Sequence, residues 1–484
     1  MLTNERNANG GVRWGKHVFM DQFFGMIELV QRELLLFSAF WLLVGGLDDL
    51  CIDLIWIVRS VYRRVTRYRM KPPMRSYELA PSDTQGLVAV LVPAWAEAAV
   101  IGTMLMHCTK SWQDGSCVYR IYVGCYPNDN ASVAQVMAAA RHNPNIRLVL
   151  VRHAGPSTKA RCLNRLWDAL LSDEIAGGYK AKAVVLHDAE DAVHRDELDI
   201  FDRLVGKGGA VQLPVIPERA PGSRWISGHY CDEFAEAHAK TLVVREALGA
   251  ALPLAGVACA IDRNLLGRMA LQSGGKPFDE NSLTEDYELG LRIGAAGGRT
   301  IMARLLDRDG HLAGSRACFP DTLSSSVRQK TRWLTGIALA GWDRLGWKGN
   351  LAQKWMLLHD RRSILAAIVL VVAYLCIALT TILLLFEAAG LHDPEALSPL
   401  TIFLLFANGV FLIWRLAVRA AFVAMLYGPG EAMLSIPRSI IANIIAIMAA
   451  RRACGDYLRH IMGEPLRWDK TAHHIVPSRL TGGD

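Results

Sequence analysis

Residues 364–386 are a run of 23 side chains without a single charge. A helix of that length crosses the ~30 Å hydrocarbon core of a bilayer, and in lipid a helix satisfies its own backbone polar groups. At least one membrane span is therefore expected. Residues 34–58 are apolar over about the same length, and residues 400–418 form a third such run. Residues 432–450 are apolar but broken by Pro437, so an interfacial or re-entrant helix is expected there. Charged residues make up only 20% of the chain, against about 25% in soluble domains.

Charge orients the spans. Arg59, Arg63, Arg64, Arg67, Arg69, Lys71 and Arg75 follow the first span directly, out of a net charge of +7. Such a run marks the cytosolic side and favours contact with anionic membrane lipids. The loop containing Gly390, His392, Asp393, Pro394 and Glu395 has no Lys or Arg, as expected on the opposite side. No other basic run is interleaved with aromatics, so no nucleic-acid partner is expected. Asp48, Asp49 and Asp53 in the first span are expected to face the interface or neighbouring helices. The 10 cysteines form no C-x-x-C pair and no zinc spacing, which suits reduced thiols in the cytosol. No short apolar segment ends at a small-residue cleavage site, so no removable signal peptide is expected.

Residues 72–86 read as a linker, rich in Pro, Ser and Gly. From there to about residue 345 short apolar runs alternate with helical stretches. The runs at 87–92, 120–123, 147–151, 183–186 and 209–213 predict buried, mostly parallel strands. In such sheets ligands bind beyond the carboxyl ends of the strands, and the polar motifs lie there.

The first strand ends in Pro93-Ala94-Trp95-Ala96-Glu97 and the second in Tyr126-Pro127-Asn128-Asp129. Each places an acid at a strand tip, able to accept hydrogen bonds from a ribose or base. Each is also what an ordinary loop or turn contains. Gly155-Pro156-Ser157-Thr158-Lys159 opens a helix with free N–H groups and a positive charge, suited to phosphate or to simple capping. His187-Asp188-Ala189-Glu190-Asp191 follows a buried strand and gathers three carboxylates within four positions. A hard cation such as Mg²⁺ or Mn²⁺ relieves their repulsion, and Asp188 and Glu190 share one side of an extended chain. A helix start rich in acids would carry the same residues. Thr284-Glu285-Asp286 reads as an N-cap followed by first-turn acids. Gln329, Arg332 and Trp333 fall at i, i+3 and i+4, on one helix face. That face suits sugar and pyrophosphate, or lipid headgroups.

In order and spacing these motifs resemble the processive, membrane-embedded family 2 glycosyltransferases, from about residue 35 to 475. The resemblance implies an α/β cytosolic domain of the GT-A type, Rossmann-like with a mostly parallel sheet, plus α-helical transmembrane segments. It implies inverting transfer from a nucleoside-diphosphate sugar, with a UDP-sugar as expected donor and Mg²⁺ or Mn²⁺ as cofactor. Pro93, Ala94, Glu97, Asp129, Lys159 and Asp188 would bind the nucleotide. Asp188, Glu190 and Asp191 would supply the metal ligands, with the choice between Glu190 and Asp191 left open by the departure from Asp-x-Asp. Asp286 would be the general base; Glu285, Gln329, Arg332 and Trp333 would hold the acceptor and pyrophosphate. The implied partners are the nucleotide-sugar donor, a glycan acceptor, membrane lipids and an outer-membrane export partner. The implied location is a bacterial inner membrane. The expected parts are 1–71 with a span at 34–58, a glycosyltransferase domain at 72–350, membrane and interfacial helices at 351–460, and a cytosolic tail at 461–484. The competing readings are a non-processive transferase acting on a lipid-linked acceptor and a docking protein on an inactive scaffold.

Overall fold

The structure, a computed structural model, describes residues 8–67, 74–82, 84, 86–207, 209–393 and 395–464. Arg69, Lys71, most of the tail and parts of the linker lie outside the described residues. The chain divides into two compact units, one from residue 52 to 363 and from 418 on, the other up to 51 and from 364 to 417.

Among the described residues the larger unit carries nine strands: β1 (Val88–Pro93), β2 (Tyr119–Cys125), β3 (Ile146–Leu150), β4 (Ala183–Leu186), β5 (Ala210–Gln212), β6 (Val215–Glu218), β7 (Cys259–Asp262), β8 (Thr300–Met302) and β9 (Ser315–Cys318). Seven of them form one sheet in the order β3-β2-β1-β4-β7-β5-β8. The pairs β1/β2, β2/β3, β1/β4 and β5/β8 are parallel; β7 is antiparallel to β4 and β5. A small parallel sheet pairs β6 with β9. All five predicted runs are strands, shifted by a residue or two at their ends. The mostly parallel character is as expected, with β7 the exception.

The apolar runs are continuous because both faces of the sheet are covered. Val88, Val90 and Val92 join one core, while Ala89 and Leu91 join the other. The helices up to residue 361 are α1 (Ala8–Thr66), α2 (Ile101–Ser111), α3 (Asn130–His142), α4 (Lys159–Gly177), α5 (Glu197–Leu204), α6 (Ile226–Glu236), α7 (Leu242–Ala247), α8 (Arg263–Gln272), α9 (Glu285–Ala295), α10 (Leu323–Leu334), α11 (Ala340–Leu345) and α12 (Leu351–Arg361). Of these, α2, α3 and α5 join the core on one face of the sheet and α4, α8 and α9 the core on the other. On α4, Leu163, Leu166, Trp167 and Leu170 recur at helical spacing and bury one stripe against the sheet. The chain leaves β1 toward β2 and β3, then crosses back to β4 on the other side of β1. That reversal opens a crevice beyond the ends of β1 and β4.

The remaining helices are α13 (Ser363–Ala388), α14 (Pro399–Tyr427) and α15 (Pro429–Ile461). With residues 22–66 of α1, they are the four described helices long and apolar enough to cross a membrane. The first apolar run is thus part of a much longer helix. The break expected at Pro437 is absent: α15 runs through it for 33 residues. Pro437 is the ninth residue of α15, where one backbone bond is lost and the flanking turns persist. α15 packs on α10 and α6, and its Arg438 is fully buried, donating to Asp232 Oδ1 at 2.8 Å and to the Gly228 carbonyl at 3.0 Å. The linker expectation is also corrected in part. Ser76 and Leu79 are buried, and Ser76 Oγ donates to Asp196 at 2.5 Å, so this stretch packs onto the larger unit.

In the smaller unit, Gln31 Nε2 donates to Thr380 Oγ1 at 2.9 Å and Asn408 Nδ2 to the Ala39 carbonyl at 2.8 Å. Arg415 pairs with Asp49. In the larger unit Asp53 receives Lys240 Nζ at 2.5 Å. Asp49 and Asp53 therefore face basic partners on neighbouring helices, the bland reading of their sequence position.

Candidate active site

The crevice holds a cavity of about 410 Å³. Pro93, Ala94, Glu97, Lys159, Asp188, Glu190, Asp191, Glu285, Asp286, Gln329, Arg332 and Trp333 all line it. Of the site residues that the resemblance implies, only Asp129 is outside this lining.

Asp129 is occupied elsewhere. Its Oδ1 accepts the Ser132 N–H at 3.2 Å, capping α3, and its Oδ2 accepts the Ala96 N–H at 2.7 Å. Ala96 has φ +54°, a left-handed conformation that costs a non-glycine residue on the order of 1–3 kcal/mol. The clamp on its N–H, and the Glu97 N–H bond to Ser132 Oγ at 2.9 Å, hold the loop in that state. Asp129 thus shapes the β1 loop from behind, which corrects its expected place in the nucleotide pocket.

Next to that loop, residues absent from the sequence-based site complete a pocket. Trp95 and Tyr126 meet edge to face, with centroids 5.1 Å apart, and Tyr126 OH lies 2.6 Å from Ser157 Oγ. Gly155 is clamped by Asn128 through bonds of 2.7 and 2.9 Å, beneath the Trp95 ring. A side chain at 155 would strike that ring, so glycine is required there.

The acids after β4 divide in two. Asp191 Oδ2 accepts the Asp188 N–H at 3.0 Å and faces His187 Nδ1 at 2.8 Å. His187 is fully buried, and its Nε2 lies 2.5 Å from Glu197 Oε1. Burial opposes charge on this ring, but Glu197 and Asp191 outweigh it and lift its pKa to about 10. Asp191 is thereby tied to an internal ion network that sets the backbone of the turn. Asp188 and Glu190 both line the cavity, and carboxylates are the ligand type that a hard divalent cation takes.

Lys159 is the first residue of α4, whose N-cap Thr158 accepts the Arg161 N–H at 3.3 Å. Its ammonium meets Asp188 Oδ1 at 2.6 Å. Burial would depress its pKa, yet Asp188, Glu285 and Asp286 together hold it above the usual lysine range. Burial, then Asp286, pushes Glu285 up to about 7. Burial also raises Asp286, partly offset by Lys159. These two acids stand in the first turn of α9, where the helix dipole favours negative charge. Thr284 occupies the N-cap position, but its side chain does not cap. Its hydroxyl is buried against Gly336, where a Cβ would come within 2.5 Å of it. Gly256, at φ +72°, has the same role beside Asp286: a Cβ there would lie 2.5 Å from Oδ2.

On α10, Gln329, Arg332 and Trp333 do share the cavity-facing side, while Lys330 turns to Glu233 at 2.5 Å. The buried Gln329 Oε1 has no hydrogen-bond partner among the described residues. Phe234, His238, Phe319 and Ile337 add an apolar wall that sequence reasoning missed. The Phe234/His238 spacing of four on a helical stretch was the available signal.

Comparison with known proteins shows the family. A family model described as "Glycosyltransferase like family 2" matches residues 85–336, just over half of the 484 residues. "Bacteriophage adsorption protein B" of Escherichia coli (strain K12) is 34% identical over 488 residues, covering 95% of this chain and 64% of its own length. "Bacteriophage N4 adsorption protein B" of Escherichia coli O157:H7 gives the same values. The chain thus spans 64% of the length of these curated relatives. Among solved structures, the mannosyltransferase PcManGT from Pyrobaculum calidifontis, in complex with GDP-Man and Mn²⁺, aligns with 86% of this chain and 99% of its own, at 18% identity and a TM-score of 0.49. With its family model laid over the sheet and the cavity alike, the chain belongs to the family 2 glycosyltransferases.

Proposed function

We propose that the chain transfers sugar, with inversion, from a nucleoside-diphosphate sugar to a glycan acceptor, and that it builds and exports a bacterial exopolysaccharide from the inner membrane. One observation carries this reading. Side chains from five distant segments, at Glu97, Lys159, Asp188/Glu190, Glu285/Asp286 and Gln329/Arg332/Trp333, line a single cavity.

The roles follow from position. Trp95, Tyr126 and Glu97 form the wall suited to a base and ribose. Asp188 and Glu190 would hold Mg²⁺ or Mn²⁺, which when bound supplies positive charge for the diphosphate. Lys159 supports the same charge from the protein side. Asp286 takes the proton from the acceptor hydroxyl as that oxygen bonds to the anomeric carbon and the diphosphate leaves with the electron pair. Burial keeps its carboxyl basic enough for the task. Arg332 and Trp333 hold the acceptor and pyrophosphate side. The basic residues after the first span support a cytosolic placement of this domain and lipid contact.

The test is incubation of purified membranes with radiolabelled UDP-sugars and Mg²⁺ or Mn²⁺. High-mass product is expected, and chelation should stop its formation. Failure to transfer any sugar would favour the second reading, a docking protein, which draws on the names of the adsorption relatives. Short lipid-linked product alone would favour the non-processive alternative.

A further inference from the structure

We infer that His238 is an acceptor-binding residue, a fixed neutral hydrogen-bond donor in the aromatic wall of the cavity that selects and orients a hydroxyl of the acceptor sugar. The inference rests on the glycosyltransferase reading above and names a contact within it.

His238 belongs to neither of the acidic motifs nor to the α10 motif. It lies in a π-helical turn, Ala237–Thr241, inserted between α6 and α7. A second π turn, Thr335–Leu339, follows α10 and brings Ile337 to the same cavity. Such turns offset one side chain from the helical register and are frequent at functional sites. Here both occur on segments that wall one cavity.

The residue is held at three points, two of them on the imidazole. Its Nδ1 accepts the Val215 N–H at 3.2 Å. Its ring stacks on Phe234 at 18°, with centroids 5.1 Å apart. Arg304 donates to its backbone carbonyl at 3.0 Å. Burial, with Arg304 nearby, depresses its pKa to about 3, so the ring is neutral at working pH. A neutral ring that accepts at Nδ1 carries its proton on Nε2. That N–H has no hydrogen-bond partner among the described residues, and the residue lines the cavity.

Phe234 also contacts Phe319 at 4.9 Å and Trp333 at 6.3 Å between centroids. The wall therefore offers apolar ring faces with one donor among them. A pyranose presents the matching surface, a face of C–H groups edged with hydroxyls. The donor-nucleotide groups lie with Trp95, Tyr126, Glu97 and Lys159, so the aromatic wall is left to the acceptor.

The experiment uses the full chain in nanodiscs, with a panel of UDP-sugars as donors and cellobiose and N,N′-diacetylchitobiose as acceptor probes. His238→Phe keeps the stacking and removes the Nε2 donor together with the Nδ1 acceptor of the Val215 N–H. It should raise the acceptor KM about 5- to 10-fold, with kcat within about 2-fold and the Kd for UDP unchanged. His238→Gln places an amide N–H near Nε2 and should recover most of the acceptor affinity. An unchanged acceptor KM in the Phe variant, or a UDP Kd that moves in step with it, overturns the inference alone. Absence of transfer by the wild-type chain with every donor overturns the parent reading, and this one with it.

Discussion

Lys159 Nζ lies 2.6 Å from Asp188 Oδ1 and also interacts electrostatically with Glu285 and Asp286. Lys159→Met would remove that positive charge from all three carboxylates. The expected result is a loss of about 10²-fold or more in kcat/KM, with Lys159→Arg no better because the space beside Gly256 is closed. Initial rates on a fixed donor read this directly.

Asp286→Asn should abolish transfer while UDP binding persists, since the amide keeps the volume and loses the proton-accepting charge. The rate should drop by about two to four orders of magnitude. Equal activity in the variant would remove Asp286 as the base.

Gly256→Ala and Gly274→Ala make a matched pair. Both positions have positive φ, so both variants carry backbone strain on the order of 1 kcal/mol. At 274 no atom lies within 4 Å of the new Cβ, whereas at 256 it would press on Asp286 Oδ2. Similar melting shifts with activity lost only at 256 are expected. Equal activity in both would show that the close approach is unimportant.

Glu285 gives a pH dependence with a definite sign. Its carboxyl rises from an ordinary 4.5 to about 7 in the folded state. The fold therefore holds the proton longer than the unfolded chain. The contribution to stability is fully present below pH 4.5 and is lost as pH rises through 7. Glu285→Gln should melt higher than wild type at pH 8, by a difference on the order of 2–3 kcal/mol at most, and match it near pH 4.5. Melts in chelator at several pH values check this.

Arg438 and Asp232 are a buried ion pair between α15 and α6. Arg438→Leu leaves the Asp232 carboxyl, already pushed up to about 7 by burial, without its partner. A loss of about 3–5 kcal/mol is expected, much of it recovered in the double variant with Asp232→Asn. An additive double variant would contradict the pairing.

The strands that were legible in the sequence are those whose two faces are both buried, because continuous Val, Leu and Ala runs stand out. β7 reads Cys-Ala-Ile-Asp and β8 Thr-Ile-Met, too short for any period to appear, and their place is set by distant partners. The cavity acids were legible because carboxylates at strand ends are seldom placed there for packing. Asp129 and Asp191 were not separable from them: an acid that clamps a neighbouring loop and one that faces a ligand look alike in a string. His187 four residues before Asp191 was the missed clue. The length of α15 was hidden by Pro437, whose local penalty is outweighed by packing on α10 and α6.

Gly336 sits against the Thr284 hydroxyl with no room for another atom. The N-terminus of α9, which carries Asp286, and the π turn that continues α10 beyond Trp333 thus meet backbone to side chain. A slide of one along its axis cannot be absorbed by a rotamer and must be passed to the other. Displacement of the segment after α10 would therefore be felt at the first turn of α9, so the two walls of the cavity answer to one mechanical contact.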